Sequence, residues 1–331
     1  MPTLAELYAY LGRAVYRRKV TITAGSAGMP SDYQIKIVFN TASLIAVGKM
    51  RSDCGDIRFT KADGTLLPYW IEPDTINSAN TVIWVRIPDS LGANQSLTIY
   101  MWYGNPYLTS AASGGDTFLF FDDFESYPDG ADINGLGGWV TRMIGGSGEA
   151  KVRLYSGWKH LHLSSTNNGT VVEQTKTVTN AGYSLRLREV ADDWNEALVI
   201  AFSDGQLLSS GDIYNGYDVA WWGYSGAYTR IRKWSRGSAT ILASMSDSDV
   251  NGRYHKLEFA WYGSKLYAYR DEYLLLTATD TTYTSRSVIH IHEWAGSSRY
   301  IDYVFLRRFV DPAPTVTVGT EEEWRKPPDL V

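Results

Sequence analysis

The chain has 331 residues, a formal net charge of −5, 44% hydrophobic residues and 20% charged residues. This length suggests two domains, and the balance of residue types excludes a disordered chain. Nucleic acid is excluded as the main partner because the basic residues are scattered, whereas phosphate binding needs a concentrated basic stripe. The single cysteine, Cys54, excludes an intramolecular disulfide.

The N-terminus predicts one short amphipathic helix over residues 1–13. Thr3 and Glu6 form a capping-box pattern, and Gly12 ends the apolar periodicity. Because Glu6 interrupts the apolar residues and the basic residues come later, we do not expect a signal peptide. The helix docks either on its own first domain or on a neighbouring subunit, in which case it would serve self-assembly. No apolar run approaches the roughly 20 residues that a membrane span requires.

Residues 14–115 predict an immunoglobulin-like β-sandwich. Short strand patterns alternate with turn residues, as is typical of an antiparallel sandwich. The strand patterns cover residues 20–23, 33–39, 57–59, 81–87 and 97–103. A small and flexible segment, 110–115, predicts the domain boundary.

Residues 116–320 predict a second sandwich of the jelly-roll type, and residues 321–331 a polar, frayed tail. About ten longer strand patterns in roughly 200 residues have the size of a jelly roll. The clearest cover residues 159–163, 183–190, 197–202, 217–222, 229–234, 254–261, 265–269, 288–294 and 300–309. The predicted fold class is therefore all-β, with two tandem sandwiches.

Four blocks of the first half resemble a known family. They are residues 56–59 (DIRF), 66–72 (LLPYWIE), 84–88 (WVRIP) and 99–106 (IYMWYGNP). In this order they are similar to the domain of unknown function 2341, found in archaeal and bacterial surface proteins, and the resemblance covers roughly residues 14–120. Residues 118–125 (FLFFDDFE) look like the junction that follows this domain in the family.

The second half is similar to the concanavalin A-like lectin and glucanase sandwiches. The similarity lies in residues 255–258 (HKLE), 265–271 (KLYAYRD), 300–309 (YIDYVFLRRF) and 312–319 (PAPTVTVG). Together the two resemblances imply a surface-exposed architecture for adhesion or carbohydrate recognition. They imply no chemistry for the first domain.

Catalysis is not expected. A retaining glucanase needs two carboxylates about 5 Å apart on one strand face. The acidic residues around Trp194 have neither the order nor the alternation that this requires; they are Glu189, Asp192, Asp193 and Glu196, and residues 191–195 have loop sequence. Asp247 and Asp249 lie in turn sequence. No nucleophile elbow, phosphate loop or cysteine-based metal site is present.

The hairpin of residues 217–222 and 229–234 is the predicted ligand-binding site. Strand alternation places apolar residues on one face and a mixture of aromatic and charged residues on the other. Flat rings beside charged donors suit a sugar, although the same face could be a solvated sheet surface on which arginine stacks. The predicted binding residues are Asp218, Trp222, Arg230, Arg232 and Trp234.

Two metal sites are weighed as alternatives to structural roles. His160 with His162 and His290 with His292 have the spacing of paired zinc ligands, and four imidazoles would converge if the two strands were neighbours. Separately, Asp122, Asp123 and Glu125 at the start of the second sandwich and Asp302 on its last strand could share a structural calcium ion. In the alternative, the histidine pairs never meet and the aspartates cap turns or pair with arginines. No cofactor is expected to be required.

The sequence therefore predicts a non-catalytic surface-binding protein with a glycan as partner. It would act outside the cell, at a cell surface or at a virion surface. The alternatives are a structural subunit of a virion spike, tail fibre or appendage, and a polysaccharide-active enzyme such as a glycoside hydrolase.

Overall fold

A computed structural model of the chain describes residues 15–167, 169–191, 197–222, 227–246, 252–294, 296 and 298–324. The predicted N-terminal helix lies outside these residues, as do Asp192, Asp193 and Glu196, Asp247 and Asp249, and the end of the predicted tail. The chain divides into two compact units. The first comprises Met1–Leu119 with Val310–Val331, and the second comprises Phe120–Phe309.

The first unit contains two antiparallel sheets that bury alternate side chains. The β-branched residues Val20 and Ile22 of the first strand and Ile35 and Ile37 of the second are almost fully buried, as expected for strands with one apolar face. The strands in this part of the unit are β1 (Val15–Thr23), β2 (Tyr33–Phe39), β3 (Arg58–Lys61), β4 (Leu66–Leu67), β5 (Tyr69–Ile71), β6 (Thr81–Ile87) and β7 (Ser96–Tyr103), with helices α1 (Thr41–Ala46) and α2 (Gly114–Thr117) and a 3₁₀ turn at Pro73–Thr75.

The four sequence blocks that carry the family resemblance lie in this core. Phe59 of β3 and Tyr69 of β5 bring the two sheets together through a ring contact of 5.4 Å. The buried Glu72 carboxylate accepts a hydrogen bond of 2.9 Å from Trp84 Nε1. The motif residues therefore hold the sandwich together, because an aromatic N–H inside a core needs an acceptor.

The second unit is a sandwich of two large antiparallel sheets. One sheet has the order β10-β11-β22-β13-β18-β19-β20, with β8 paired to β22, and the other has the order β17-β16-β15-β14-β21-β12-β9. The strands are β8 (Phe120–Asp122), β9 (Val140–Met143), β10 (Glu149–Tyr155), β11 (Trp158–Ser164), β12 (Thr170–Thr179), β13 (Tyr183–Ala191), β14 (Ala197–Ser203), β15 (Gly216–Trp222), β16 (Tyr228–Ser235), β17 (Ser238–Ser246), β18 (His255–Tyr262), β19 (Lys265–Arg270), β20 (Tyr273–Thr279), β21 (Ser285–Glu293) and β22 (Ser298–Arg308), with a 3₁₀ turn at Leu136–Gly138.

Aromatic residues fill the space between these two sheets. The Phe202 ring of β14 stacks on the Phe259 ring of β18 at 4.6 Å, and Tyr217 of β15 meets Trp261 of β18 at 5.3 Å. Each sheet therefore has an inner face in this core and an outer face that points away from it. We call the sheet that contains β15 and β16 the seven-stranded sheet, and the sheet that contains β11 and β22 the eight-stranded sheet. The prediction of an all-β chain with two sandwiches is confirmed.

The last strand corrects the predicted domain limits. Strand β23 (Thr315–Trp324) pairs antiparallel with β1 of the first unit, whereas the sequence placed residues 310–320 in the second sandwich and began a frayed tail at residue 321. Glu322 pairs with Arg17 at 2.8 Å, and Glu321 pairs with Lys49 and accepts a bond from Tyr103. The three glutamates at residues 321–323 look like part of a solvated tail in the sequence, because the cationic partners of Glu321 and Glu322 lie about 300 residues earlier in the chain.

None of the helices in the described ranges is long and apolar enough to cross a membrane.

Candidate functional site

The hairpin of β15 and β16 has the geometry that alternation predicts. Its register pairs Asp218 with Arg232 and Trp222 with Tyr228. The pair Val219 and Ile231 is fully buried in the core. The charged and aromatic residues therefore lie on the outer face of the seven-stranded sheet.

Three of the five predicted binding residues form a buried structural cluster on that face. Arg232 donates two hydrogen bonds to the Asp218 carboxylate, of 2.9 and 2.8 Å, and Trp234 Nε1 donates a third of 2.8 Å. Asp218 is 1% exposed and Trp234 is 6% exposed. The polar atoms of these three residues therefore bind one another, and their contact with a ligand stays a prediction.

A loop between β14 and β15, residues 204–215, buries this cluster. Its Ile213 packs with Ala201 and Trp234, and Leu207 and Leu208 extend the contact. Gly211 has φ +87°, and a Cβ there would lie 3.0 Å from His292 Nε2. The loop therefore covers the middle of the outer face, which no alternation pattern in the strands could reveal.

Asp212 of this loop is the acidic group closest to the ion pair. Its carboxylate accepts a bond of 2.9 Å from Ser210 Oγ and lies 3.9 Å from Arg232. Burial raises the pKa of Asp212 to about 6, although the nearby Arg232 opposes that rise. The loop therefore carries a carboxyl group that prefers to be neutral.

Replacing Asp212 with asparagine should change the pH dependence of stability. Between about pH 4 and pH 6 the folded protein holds a proton that the unfolded chain has released, so the stability of the native protein falls as pH rises. The difference in unfolding free energy between the native protein and the Asp212→Asn variant should therefore shift by about 2 kcal/mol across this window. Urea unfolding at several pH values measures it. Burial lowers the pKa of His290 and His292 to about 3, an effect of opposite sign that both proteins share. If plots of unfolding free energy against pH run parallel for the native protein and Asp212→Asn, the prediction is contradicted.

Beyond the covered middle, the same outer face carries a cluster of partly exposed aromatic rings. Trp222 stacks on Tyr228 at 5.4 Å and lies 6.0 Å from Trp294. The Arg230 guanidinium lies 3.4 Å from the centre of the Tyr228 ring. Trp222, Tyr228, Trp294 and Arg230 are all intermediate in exposure. We call these four residues the Trp222 cluster.

Two members of the Trp222 cluster, Tyr228 and Trp294, were missed by the sequence reasoning. Tyr228 stands two positions before Arg230, and Trp294 two positions after His292. Strand alternation places each on the outer face, so the signal was present. It was overlooked because Tyr228 looked like part of the turn, and because the pairing of β14 with β21 is a long-range contact.

The two histidine pairs do not converge. His160 and His162 lie on β11 of the eight-stranded sheet, and His290 and His292 on β21 of the seven-stranded sheet. His290 Nε2 is 2.5 Å from Ser203 Oγ. Within the described ranges, no group of three or more His, Cys, Asp or Glu residues could hold a metal ion. The predicted four-histidine site is wrong because the strands belong to different sheets.

The aspartates of the predicted calcium site bind protein groups instead. Asp122 accepts bonds from Trp139 Nε1, the Tyr127 hydroxyl and Phe124 N. Asp302 pairs with Arg188 at 2.5 Å. Strand β8 pairs with β22 as expected, but Asp122 and Asp302 each bind their own protein partners. Burial raises the pKa of the neighbouring Asp123, because desolvation disfavours the charged form.

The structure is that of an all-β protein of two sandwiches, with a cluster of partly exposed aromatic rings on the second. Residues 53–142 match the family described as Domain of unknown function (DUF2341), so the resemblance of the first half to that family is confirmed. The match continues past the end of the first unit at residue 119.

The chain is also similar to a viral protein and to solved β-sandwich structures. Uncharacterized protein 562 of Sulfolobus islandicus rod-shaped virus 1 is 28% identical over 127 residues, which cover 36% of this chain and 22% of that protein. A carbohydrate-binding module, CBM66 from Bacillus subtilis, has 15% identity and a TM-score of 0.40 over 51% of this chain and 95% of its own. A β-glucanase of Bacillus licheniformis has 15% identity and a TM-score of 0.41 over 57% of this chain and 97% of its own.

Proposed function

We propose that this chain is a non-catalytic carbohydrate-binding protein of a cell surface or virion surface, and that the Trp222 cluster binds the glycan. The observation that carries the proposal is the arrangement of three partly exposed rings beside one guanidinium on a rigid sheet. Aromatic faces pack against the C–H faces of sugars, and arginine donates hydrogen bonds to hydroxyl groups.

The packing beneath the Trp222 cluster supports the proposal. Ala197, Val199 and Ala220 form a buried layer beneath Trp222 and Trp294. The small side chains of this layer let the indoles lie close to the sheet. A ligand that meets fixed rings loses less conformational entropy than one that must order them.

The carboxylates on this outer face support binding without catalysis. Asp218 is held by Arg232, and Glu173 is held by Arg142 at 3.0 Å. Ser203, which contacts His290, is fully buried and accepts a bond from Gly205 N. These groups are engaged in pairs beneath a covered surface, whereas a glycosidase needs two carboxylates that flank an exposed sugar.

Trp222→Ala in the full chain tests the proposal. We expect the native protein to bind one or more members of a printed array of defined oligosaccharides, and the variant to lose at least about tenfold in affinity at the Trp222 cluster, because a stacked ring contributes about 1.5 kcal/mol. Isothermal titration with the best array ligand measures the loss. Tyr273→Ala is the matched control, since Tyr273 is 76% exposed on the eight-stranded sheet.

Equal affinity of Trp222→Ala and Tyr273→Ala would remove the Trp222 cluster from the proposal. Absence of binding to every glycan would favour the alternative, a structural subunit of a virion or appendage, which the similarity to a viral protein supports. Release of reducing sugar from the bound glycan would contradict the non-catalytic role.

A further inference from the structure

The hairpin of β10 and β11 presents a tryptophan to solvent on the eight-stranded sheet. Trp158 is 58% exposed and is the direct cross-strand partner of Tyr155. The two residues between them, Ser156 and Gly157, have φ of +50° and +89°, which is the pattern of a type I′ turn. The turn fixes both side chains on the same outer face of the sheet.

A stack of rings supports this position. The Tyr300 ring lies 4.3 Å from the Tyr155 ring and 4.4 Å from the His162 ring, and both pairs are nearly parallel. His162 is held between Glu149 at 2.9 Å and Ser298 at 2.6 Å. The side chains beside Trp158 are therefore anchored on three neighbouring strands.

His160 fixes the backbone of Trp158 itself. Its Nδ1 lies 3.0 Å from the Trp158 carbonyl oxygen and must carry the proton, because a carbonyl can only accept. Its Nε2 then accepts a bond of 3.0 Å from the Tyr254 hydroxyl. Arg188 lies 3.6 Å from the centre of the Tyr254 ring and pairs with Asp302. A single exposed indole is ordinary, but here a buried histidine holds the backbone that carries the indole, so less of the site has to be ordered when a ligand binds.

We propose that Trp158, with Tyr155 beside it, is a second glycan-binding platform, on the sheet opposite the Trp222 cluster. Charges of both signs share this outer face, since Arg153 and Lys151 both pair with Glu149. These paired charges offer both hydrogen-bond donors and acceptors to the hydroxyl groups of a sugar. The inference rests on the proposed function and extends it: a protein with platforms on opposite faces binds two glycan chains at once, and it gains avidity on a surface whose chains are long enough to reach both faces.

Trp158→Ala tests the second platform, with Leu154→Ala as the matched control. Leu154 is 61% exposed in the same hairpin, but alternation places it on the other side. The full chain is titrated calorimetrically with the soluble oligosaccharide that binds best on the printed array, and its binding to the same sugar immobilised on a sensor surface is measured. We expect two sites in the native protein and one in Trp158→Ala, with apparent affinity for the immobilised sugar reduced about tenfold. Leu154→Ala should match the native protein.

The outcomes separate the second platform from the proposed function. If Trp158→Ala behaves like Leu154→Ala while Trp222→Ala loses affinity, the second platform is overturned and the proposed function stands. If Trp158→Ala removes all binding and Trp222→Ala removes none, the second platform stands and the Trp222 cluster is overturned as a site. If the native protein binds no glycan, both proposals fall.

Discussion

Arg232→Leu is expected to lower the free energy of unfolding by about 3–5 kcal/mol, because it leaves the Asp218 carboxylate buried without its cation. Two hydrogen bonds from Arg232 are lost, and the bond from Trp234 Nε1 alone remains. Urea unfolding followed by tryptophan fluorescence measures the loss.

Arg230→Leu is the matched control for this change. Arg230 lies two positions away on the same face of β16, and it contacts the Tyr228 ring and Ser244 Oγ. We expect a loss of at most about 1 kcal/mol, as is usual for an exposed cation–π contact. Equal effects of the two leucine variants would contradict a buried ion pair.

The double variant Asp218→Asn with Arg232→Leu sharpens the test. Removing the Asp218 charge, which Arg232→Leu leaves without its cation, should recover part of the lost stability, because the two residues are directly coupled. A double variant that is less stable than Arg232→Leu would show that the Asp218 charge contributes independently of Arg232.

Asp122→Ala is expected to destabilise the second unit by about 3–5 kcal/mol. Its carboxylate accepts bonds of 2.8 Å from Trp139 Nε1, 2.8 Å from the Tyr127 hydroxyl and 2.9 Å from Phe124 N. Trp139 and Phe124 are both 0% exposed, so their N–H groups cannot find water instead. Each hydrogen bond to a charged acceptor contributes about 1.5–3 kcal/mol.

The control variant for Asp122→Ala is Asp123→Ala, and added calcium tests whether these aspartates bind an ion. Burial raises the pKa of Asp123, and its carboxylate accepts a bond of 3.3 Å from Glu125 N, so its removal should leave stability nearly unchanged. Thermal unfolding of the native protein should give the same midpoint in millimolar calcium and in chelator. A midpoint that calcium raises, and that Asp122→Ala makes insensitive to calcium, would restore the predicted calcium site.

The fold class and most strands were predictable because they depend on local patterns. Alternating β-branched and aromatic residues specify strands, and the turn residues between them specify hairpins such as β15–β16. The register of this hairpin follows from its burial pattern, since a slip by one residue would expose Val219 and Ile231. Trp222 and Arg230 were predicted as site residues on the same basis.

The sequence by itself determined the all-β class, the outer-face residues of each hairpin and the family segment of the first half. Tertiary structure alone decided that β23 returns to β1, that the histidine pairs lie on different sheets, and that loop 204–215 covers Asp218 but leaves Trp222 partly exposed. The physical reason is that alternation fixes the side of a sheet on which a residue lies, whereas burial of that side depends on segments far away in the chain. Chain entropy allows such long-range contacts at little extra cost, and no local pattern records them.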